Sequence, residues 1–188
     1  MPELYFLREL DGYGWCFRKG DYLNIGLGRI GAKDLPDRVR GFLNFLTADR
    51  GVPRDVSARW KGHAYRLYGT SPRPVVADGV ILVGDAAGLA YPQSGEGIRT
   101  GVESGLLAAS VLLNAGARAD VDALESYAAS LHARLGKPPT SAAPAADTTL
   151  DRWASAVGRT LMSTRWFTRR VVLDRWFLHR GQRALELS

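Results

Sequence analysis

Four apolar residues, Val80-Ile81-Leu82-Val83, run into Gly84-Asp85 and stop. A loop holding Pro92, Gly95 and Gly97 follows, and then Ile98, Val102, Leu106, Ala109, Leu112 and Leu113 recur at spacings of three and four. The pattern predicts a buried strand, a loop and a helix with one buried apolar face. Glu96 stands at the expected helix start, where the positive end of the helix dipole favours a carboxylate, and Asn114 with Gly116 marks the end. Gly97, Gly101 and Gly105 form a second stripe at spacing four, which weakens the helix but lets a backbone or a flat ring approach closely. Such a unit puts the Asp85 carboxylate at the end of a strand and aims the free N–H groups of a helix start at the same crevice. A hydroxyl-rich, partly anionic cofactor fits there. A packed strand-loop-helix unit without a ligand is the plainer alternative.

Around this unit the signals are shorter. Leu4 to Leu7, Gly12 to Phe17 and Tyr22 to Gly28 read as three strands with one aromatic face, the last two joined at Lys19-Gly20-Asp21. Arg38 to Thr47 reads as a helix through Val39, Phe42, Leu43 and Leu46. Residues 56–68 alternate imperfectly and suggest one bent strand or two short ones, and Val75 to Val83 around Asp78-Gly79 is a hairpin signal. Val121 to Leu135 reads as an amphipathic helix with Asp120 or Asp122 near its start, followed by a proline-rich linker. Leu150, Trp153, Val157 and Leu161, then Trp166, Val171, Val172, Trp176 and Phe177, suggest two final helices split near Ser163-Thr164. The expected fold class is α+β. Four segments follow: 1–73 in an antiparallel sheet domain, 74–136 around the Gly-Asp loop, 137–147 as linker and 148–188 as basic, aromatic helices.

Composition alters this picture in two places. The 188 residues carry a formal charge of +6, yet eight arginines against three acids fall in residues 151–188, so the excess is concentrated there. Arginines alternating with aromatics suit peripheral contact with an anionic membrane surface, or a solvated outer face packed on the body of the protein. No recognition motif accompanies the charge, so nucleic acid is not expected. A single cysteine, Cys16, excludes an internal disulfide and a cysteine-rich metal site, and a cytoplasmic, reducing setting is expected. No run is long and apolar enough for a spanning helix.

Two motifs mislead. Gly26-Leu27-Gly28-Arg29-Ile30-Gly31 spells G-x-G-x-x-G, but a dinucleotide fingerprint needs a helix beginning within the glycines, and Lys33-Asp34-Leu35-Pro36 reads as a turn. His63, alone beside aromatics, reads as a structural residue.

Gly84-Asp85-Ala86-Ala87-Gly88 with Pro92-Gln93-Ser94-Gly95-Glu96-Gly97-Ile98 resembles the second flavin-contacting segment of FAD-dependent oxidoreductases of the p-hydroxybenzoate hydroxylase fold, and within them most resembles the geranylgeranyl reductase family. That family carries Tyr-x-Trp-x-Phe-Pro, seven residues, Gly-x-Gly in its substrate domain. Tyr13, Trp15, Phe17, Gly26 and Gly28 fall on the pattern, with Arg18 in the place of the proline. The resemblance runs from about Tyr5 to Leu135. It implies an antiparallel sheet of a substrate domain and the C-terminal strand-loop-helix part of an FAD-binding domain. It also implies FAD held by Gly84, Asp85, Pro92, Gly95, Gly97, Ile98 and Arg99. Asp85 would accept a hydrogen bond from the ribityl chain, and the backbone N–H groups of Gly97, Ile98 and Arg99 would face the pyrimidine edge of the ring. Tyr13, Trp15, Phe17, Gly26 and Gly28 would line a prenyl slot, with no catalytic side chain and no metal.

The activity so implied is reduction of C=C bonds in a polyprenyl chain carried by a lipid, quinone or pigment, with NAD(P)H or a reduced carrier protein as electron donor. Two other readings stand beside it. One is a flavin monooxygenase or halogenase of the same fold, and the other an inactive fragment with a basic, membrane-associating tail. The family's N-terminal glycine fingerprint has no counterpart among these 188 residues, so a missing N-terminal FAD-binding half is expected elsewhere, and with it an exposed apolar face.

Overall fold

The computed structural model describes residues 3–31, 33–53, 60–70, 73–116, 118–137, 158 and 160–186. It is α+β, with a three-stranded and a two-stranded antiparallel sheet and several helices. The chain divides into two units, Met1–Gly62 with Asp147–Ser163 and His63–Ala146 with Thr164–Ser188. Residues 63–68 therefore belong with the Gly-Asp loop rather than with the first sheet.

In the first unit, strands β1 (Glu3–Phe6), β2 (Gly12–Lys19) and β3 (Tyr22–Arg29) pair in that order. Lys19 pairs with Tyr22, so the hairpin closes over two residues, and Gly20 takes the left-handed φ of 61° that such a tight turn requires. Alternation along β2 then decides the two faces. Gly14 and Cys16 point to helix α1 (Leu35–Arg50), where Cys16, Leu46 and Val52 form a core with Tyr5, Ile25 and Phe42 packed against it. Gly14 must be bare, since a Cβ there would lie 2.6 Å from the Phe42 ring.

The opposite face carries the aromatics. Phe6, Tyr13 and Trp15 form a row with ring centroids 6.1 and 6.0 Å apart. Trp15 lies across β3, where its Nε1 donates to Asn24 Oδ1 at 2.7 Å. A Cβ on Gly26 would come within 2.1 Å of the indole, and one on Gly28 within 3.8 Å. The Gly-x-Gly pair is thus the bed of the tryptophan ring and belongs to a strand. Helix α1 begins only at Leu35, beyond Gly31, so no helix starts within the G-x-G-x-x-G glycines. It begins three residues before the expected start because Pro36 occupies its first turn, where a missing N–H costs nothing.

In the second unit, β4 (Val76–Ala77) and β5 (Val80–Ile81) form a minimal hairpin over Asp78-Gly79. The buried four-residue strand expected at 80–83 is corrected: Val80 and Val83 are exposed, and the chain leaves β5 for a 3₁₀ turn at Gly84–Ala87. The strand expected across 56–68 is likewise absent among the described residues. Residues 60–66 are irregular and exposed, and Leu67 makes a single parallel bridge to Ala90; residues 54–59 lie outside the description.

Helix α2 (Ile98–Ala115) has Gly97 as its N-cap residue, and α3 (Val121–Leu135) is capped by Asp120, whose Oδ1 accepts from the Ala123 N–H at 3.0 Å. Val76, Ala87, Leu89, Ala108, Val111, Leu124, Tyr127 and Leu131 form the core. The buried face of α2 is not the one its apolar spacing predicts. Thr100, Glu103, Ser104, Ala108 and Val111 are buried, whereas Ile98 is 81% and Leu113 83% exposed, with Val102, Leu106 and Leu112 also exposed. The polar residues can be inside because each is bonded: Thr100 Oγ1 donates to Gly97 O, Ser104 Oγ to Gly101 O, and Glu103 is held by two arginines.

Of the C-terminal helices, the second starts at Arg165 with Thr164 as its N-cap, winds as α-helix over Arg165–Phe167 and as wider π-type turns over Thr168–Phe177. Most of the first, and the linker apart from Lys137, lie outside the described residues. No described helix is long and apolar enough to cross a membrane.

Two substitutions test the packing. Gly26→Ala should destabilise the first unit by about 1–3 kcal/mol in denaturant unfolding, because the indole has to leave its bed. Tyr127→Phe should cost about 1 kcal/mol, since the buried hydroxyl donates to Leu82 O at 2.8 Å and the carbonyl loses its partner.

Candidate functional site

The turn Gly84–Ala87 and the first two turns of α2 meet at bare backbone. Gly84 has a left-handed φ of 53°, and a Cβ on it would sit 3.4 Å from Gly101 Cα. Its N–H donates to Ser104 Oγ at 3.0 Å, which pins the turn to the helix. Beside this crossing opens a concavity of about 540 Å³, lined by Tyr65, Gly84, Asp85, Gly95, Gly97, Ile98, Gly101 and Val102. Half of its lining residues are glycines, so main chain forms much of the wall, with Ile98 and Val102 as an apolar flank.

The single carboxylate in that wall is Asp85. Its Oδ1 lies beside Gly97, where a Cβ would be 3.1 Å away, and its Oδ2 accepts from His63 Nε2 at 2.9 Å. Tyr65 stacks on the His63 ring at 5.9 Å and donates its hydroxyl to Gly95 O at 2.9 Å. Burial first, then the negative charges of Asp85 and Glu96, push the Tyr65 hydroxyl above its ordinary pKa, so it stays a donor. The segment holding both rings is tied to the loop by Tyr68 N–H donating to Ala90 O at 2.8 Å.

Of the residues expected to hold a cofactor, Gly84, Asp85, Gly95, Gly97 and Ile98 come together in this wall, and Pro92 and Arg99 do not. The backbone N–H of Arg99 donates to Glu96 Oε1 at 2.9 Å, so it is not open to a ligand in this arrangement. The Arg99 guanidinium turns the other way, to Glu103 Oε1 at 2.9 Å and to the carbonyl oxygens of His179, Gln182 and Arg183. Arg134 binds both Glu103 oxygens, at 2.8 and 2.5 Å, and also Arg183 O. Led by the Arg134 hydrogen bonds, these two arginines hold the Glu103 carboxyl below its usual range in spite of burial. Tyr13, Trp15, Phe17, Gly26 and Gly28 lie on the sheet of the other unit, where Trp15 and the two glycines interlock as described.

Sequence reasoning reads His63 as a structural residue and gives Tyr65 and Val102 no part in the site. Val102 was visible as a helix residue but assigned to the core. No local signal links His63 to Asp85, since 22 residues separate them.

The residues fit a flavin's polyol and ring edge in chemical type: one carboxylate acceptor, a cradle that Cβ atoms would fill, and an apolar flank. Among the described residues no cluster of histidine, cysteine or carboxylate side chains could hold a metal.

No family model and no solved structure matches the chain. Curated proteins do. A digeranylgeranylglycerophospholipid reductase of Methanothrix thermoacetophila is 33% identical over 140 residues, which covers 72% of this chain and 35% of the relative. Digeranylgeranylglycerophospholipid reductase 3 of Methanosphaera stadtmanae is 36% identical over 132 residues, covering 67% and 32%. A menaquinone reductase of Mycobacterium tuberculosis is 35% identical over 113 residues, covering 55% and 26%. The chain spans about a third of the length of the curated relatives it matches.

The Glu103 cluster sets an acid limit on stability. A carboxyl whose pKa is depressed by folding contributes stability that is complete above the unfolded value and is lost as pH falls through the folded one. Stability against urea should therefore fall progressively below about pH 4.5, the unperturbed value, and Glu103→Gln should flatten that decline. Glu103→Ala at neutral pH should cost about 3–5 kcal/mol by leaving the charges of Arg99 and Arg134 without their carboxylate.

Proposed function

Starting from a chain that belongs to the geranylgeranyl reductase family, we propose that it forms the part of an FAD-dependent oxidoreductase that grips the ribityl chain and ring edge of the flavin, together with part of the sheet that receives a prenyl chain. The observation that carries this is the Asp85 carboxylate set beside bare Gly97 at the start of α2, in a concavity walled largely by glycine. An acidic acceptor suits a polyol, and an exposed main chain suits a flat ring that must come close.

A flavin held there would, once reduced by the electron donor, supply hydride for an alkene carbon. This chain's residues bind and orient. Asp85 accepts a hydrogen bond from a hydroxyl of the polyol. Gly97 and Ile98, at the positive end of an 18-residue helix, favour negative charge on the ring edge without reorganising. Ile98 and Val102 keep water from one side. On the other unit, the Phe6, Tyr13 and Trp15 row offers an aromatic face for a prenyl chain, and orientation there takes the place of side-chain chemistry.

The relatives' names mention a phospholipid with geranylgeranyl chains and a quinone. The proposed substrate class is accordingly a polyprenyl chain on a lipid or quinone, with NAD(P)H or a reduced carrier as donor and a peripheral membrane contact at the C-terminal arginines. The exposed stripe Ile98, Val102, Leu106 and Leu113 is the face that the remaining two thirds of such an enzyme would cover.

Riboflavin is the direct probe, since it carries the ring and polyol without the adenine and pyrophosphate. It should lose fluorescence on titration with the chain, and Asp85→Asn should weaken that binding about tenfold. Absence of quenching by the unaltered chain overturns the flavin reading. For the activity, prenyl lipid added anaerobically to the reduced full-length enzyme should reoxidise it. Reoxidation by oxygen alone would defeat the reductase reading in favour of a monooxygenase.

A further inference from the structure

We propose that His63 is a positioning residue for Asp85, holding one carboxylate oxygen so that the other is presented to the bound polyol. The inference rests on the flavin reading of the concavity and goes one residue beyond it.

The two oxygens of Asp85 have different surroundings. Oδ2 receives the His63 Nε2–H at 2.9 Å, whereas Oδ1 lies against the space that a Gly97 side chain would fill, in the wall of the concavity. A free carboxylate turns about its last bond and offers either oxygen. One tethered at Oδ2 is fixed in plane, with the Oδ1 lone pairs facing the ligand. The His63 ring is itself placed by stacking on Tyr65, whose hydroxyl holds Gly95 O across the same opening. Two rings, two residues apart on one irregular segment, therefore set both lips: His63 the acid, Tyr65 the glycine loop. That segment is anchored to the loop through the Leu67 and Ala90 bridge.

The pair cannot be explained as a brace of the fold. The His63 side chain is 68% and that of Asp85 44% exposed, and an ion pair so open to water adds little stability. Its geometry is spent on the direction of one carboxylate oxygen.

The test compares three variants of the full chain, with riboflavin fluorescence and thermal unfolding as readouts. His63→Phe keeps a ring to stack on Tyr65 but loses the donor, and should weaken riboflavin binding about fivefold with an unchanged unfolding midpoint. His63→Gln restores an N–H donor and should bind within about twofold of the unaltered chain. Asp85→Asn serves as the reference for loss of the carboxylate, since the amide keeps one acceptor oxygen and puts a donor in place of the other. Wild-type affinity in His63→Phe, with binding lost in Asp85→Asn, overturns the positioning role and leaves the flavin reading standing. Unchanged affinity in Asp85→Asn overturns the flavin reading itself.

Discussion

Everything around the concavity depends on the turn at Gly84 being held against the first turns of α2, with Gly84 in the left-handed φ of 53° that glycine supplies without strain. Gly84 and Gly101 bring the 3₁₀ turn onto α2, and Ser104 locks them by accepting from the Gly84 N–H while donating to Gly101 O. A methyl group on either glycine would meet the other at ordinary van der Waals distance, 3.4 Å from Gly84 and 4.0 Å from Gly101, so what glycine supplies at this crossing is the left-handed φ of Gly84. Tyr127 reinforces it from below by holding Leu82 O, two residues before Gly84.

The local parts of this arrangement were legible in the sequence because each is written in a few adjacent residues. Gly84-Asp85, the glycine loop and the helix start after Gly97 lie where pattern and turn chemistry put them, as does the two-residue hairpin at Gly20-Asp21. The orientation of α2 was not legible. Spacing alone favoured the Ile98 and Val102 stripe as the core face, yet Thr100, Glu103 and Ser104 are buried because their polar atoms are satisfied, two by carbonyl oxygens at the start of their own helix and one by Arg99 four residues before it and by Arg134 on α3. Hydrophobic periodicity cannot distinguish a face that meets this chain's core from one that another part of a longer protein would cover. The same limit hid His63, whose partner lies across a loop, and the short β5, whose apolar residues looked like a buried strand.

The first unit shows a complementary case, in which residues matched to a motif by their spacing gain a physical reason from packing. Tyr13, Trp15, Phe17, Gly26 and Gly28 look like separate requirements along the chain. In the sheet, Trp15 spends its flat face on Gly26 and Gly28 and its N–H on Asn24, and Gly14 makes room for Phe42 behind. A three-stranded sheet is small, and bare positions on both sides let rings lie flat against it. Arg18, standing where the family carries proline, falls near the end of β2 and is exposed, so its main chain remains free to pair with Leu23 in the hairpin.

The way the C-terminal stretch is held bears on how its sequence can drift. Arg99 and Arg134 grasp the carbonyl oxygens of residues 179, 182 and 183, groups that every amino acid possesses. Apart from Gln182, whose amide meets Tyr91, and the His179 ring stacked on that tyrosine, the identities in this stretch are of small consequence to its anchorage. Insertions and deletions are another matter, since they would slide every carbonyl past its arginine. Over evolutionary time such a terminus would conserve its length while its spelling wandered.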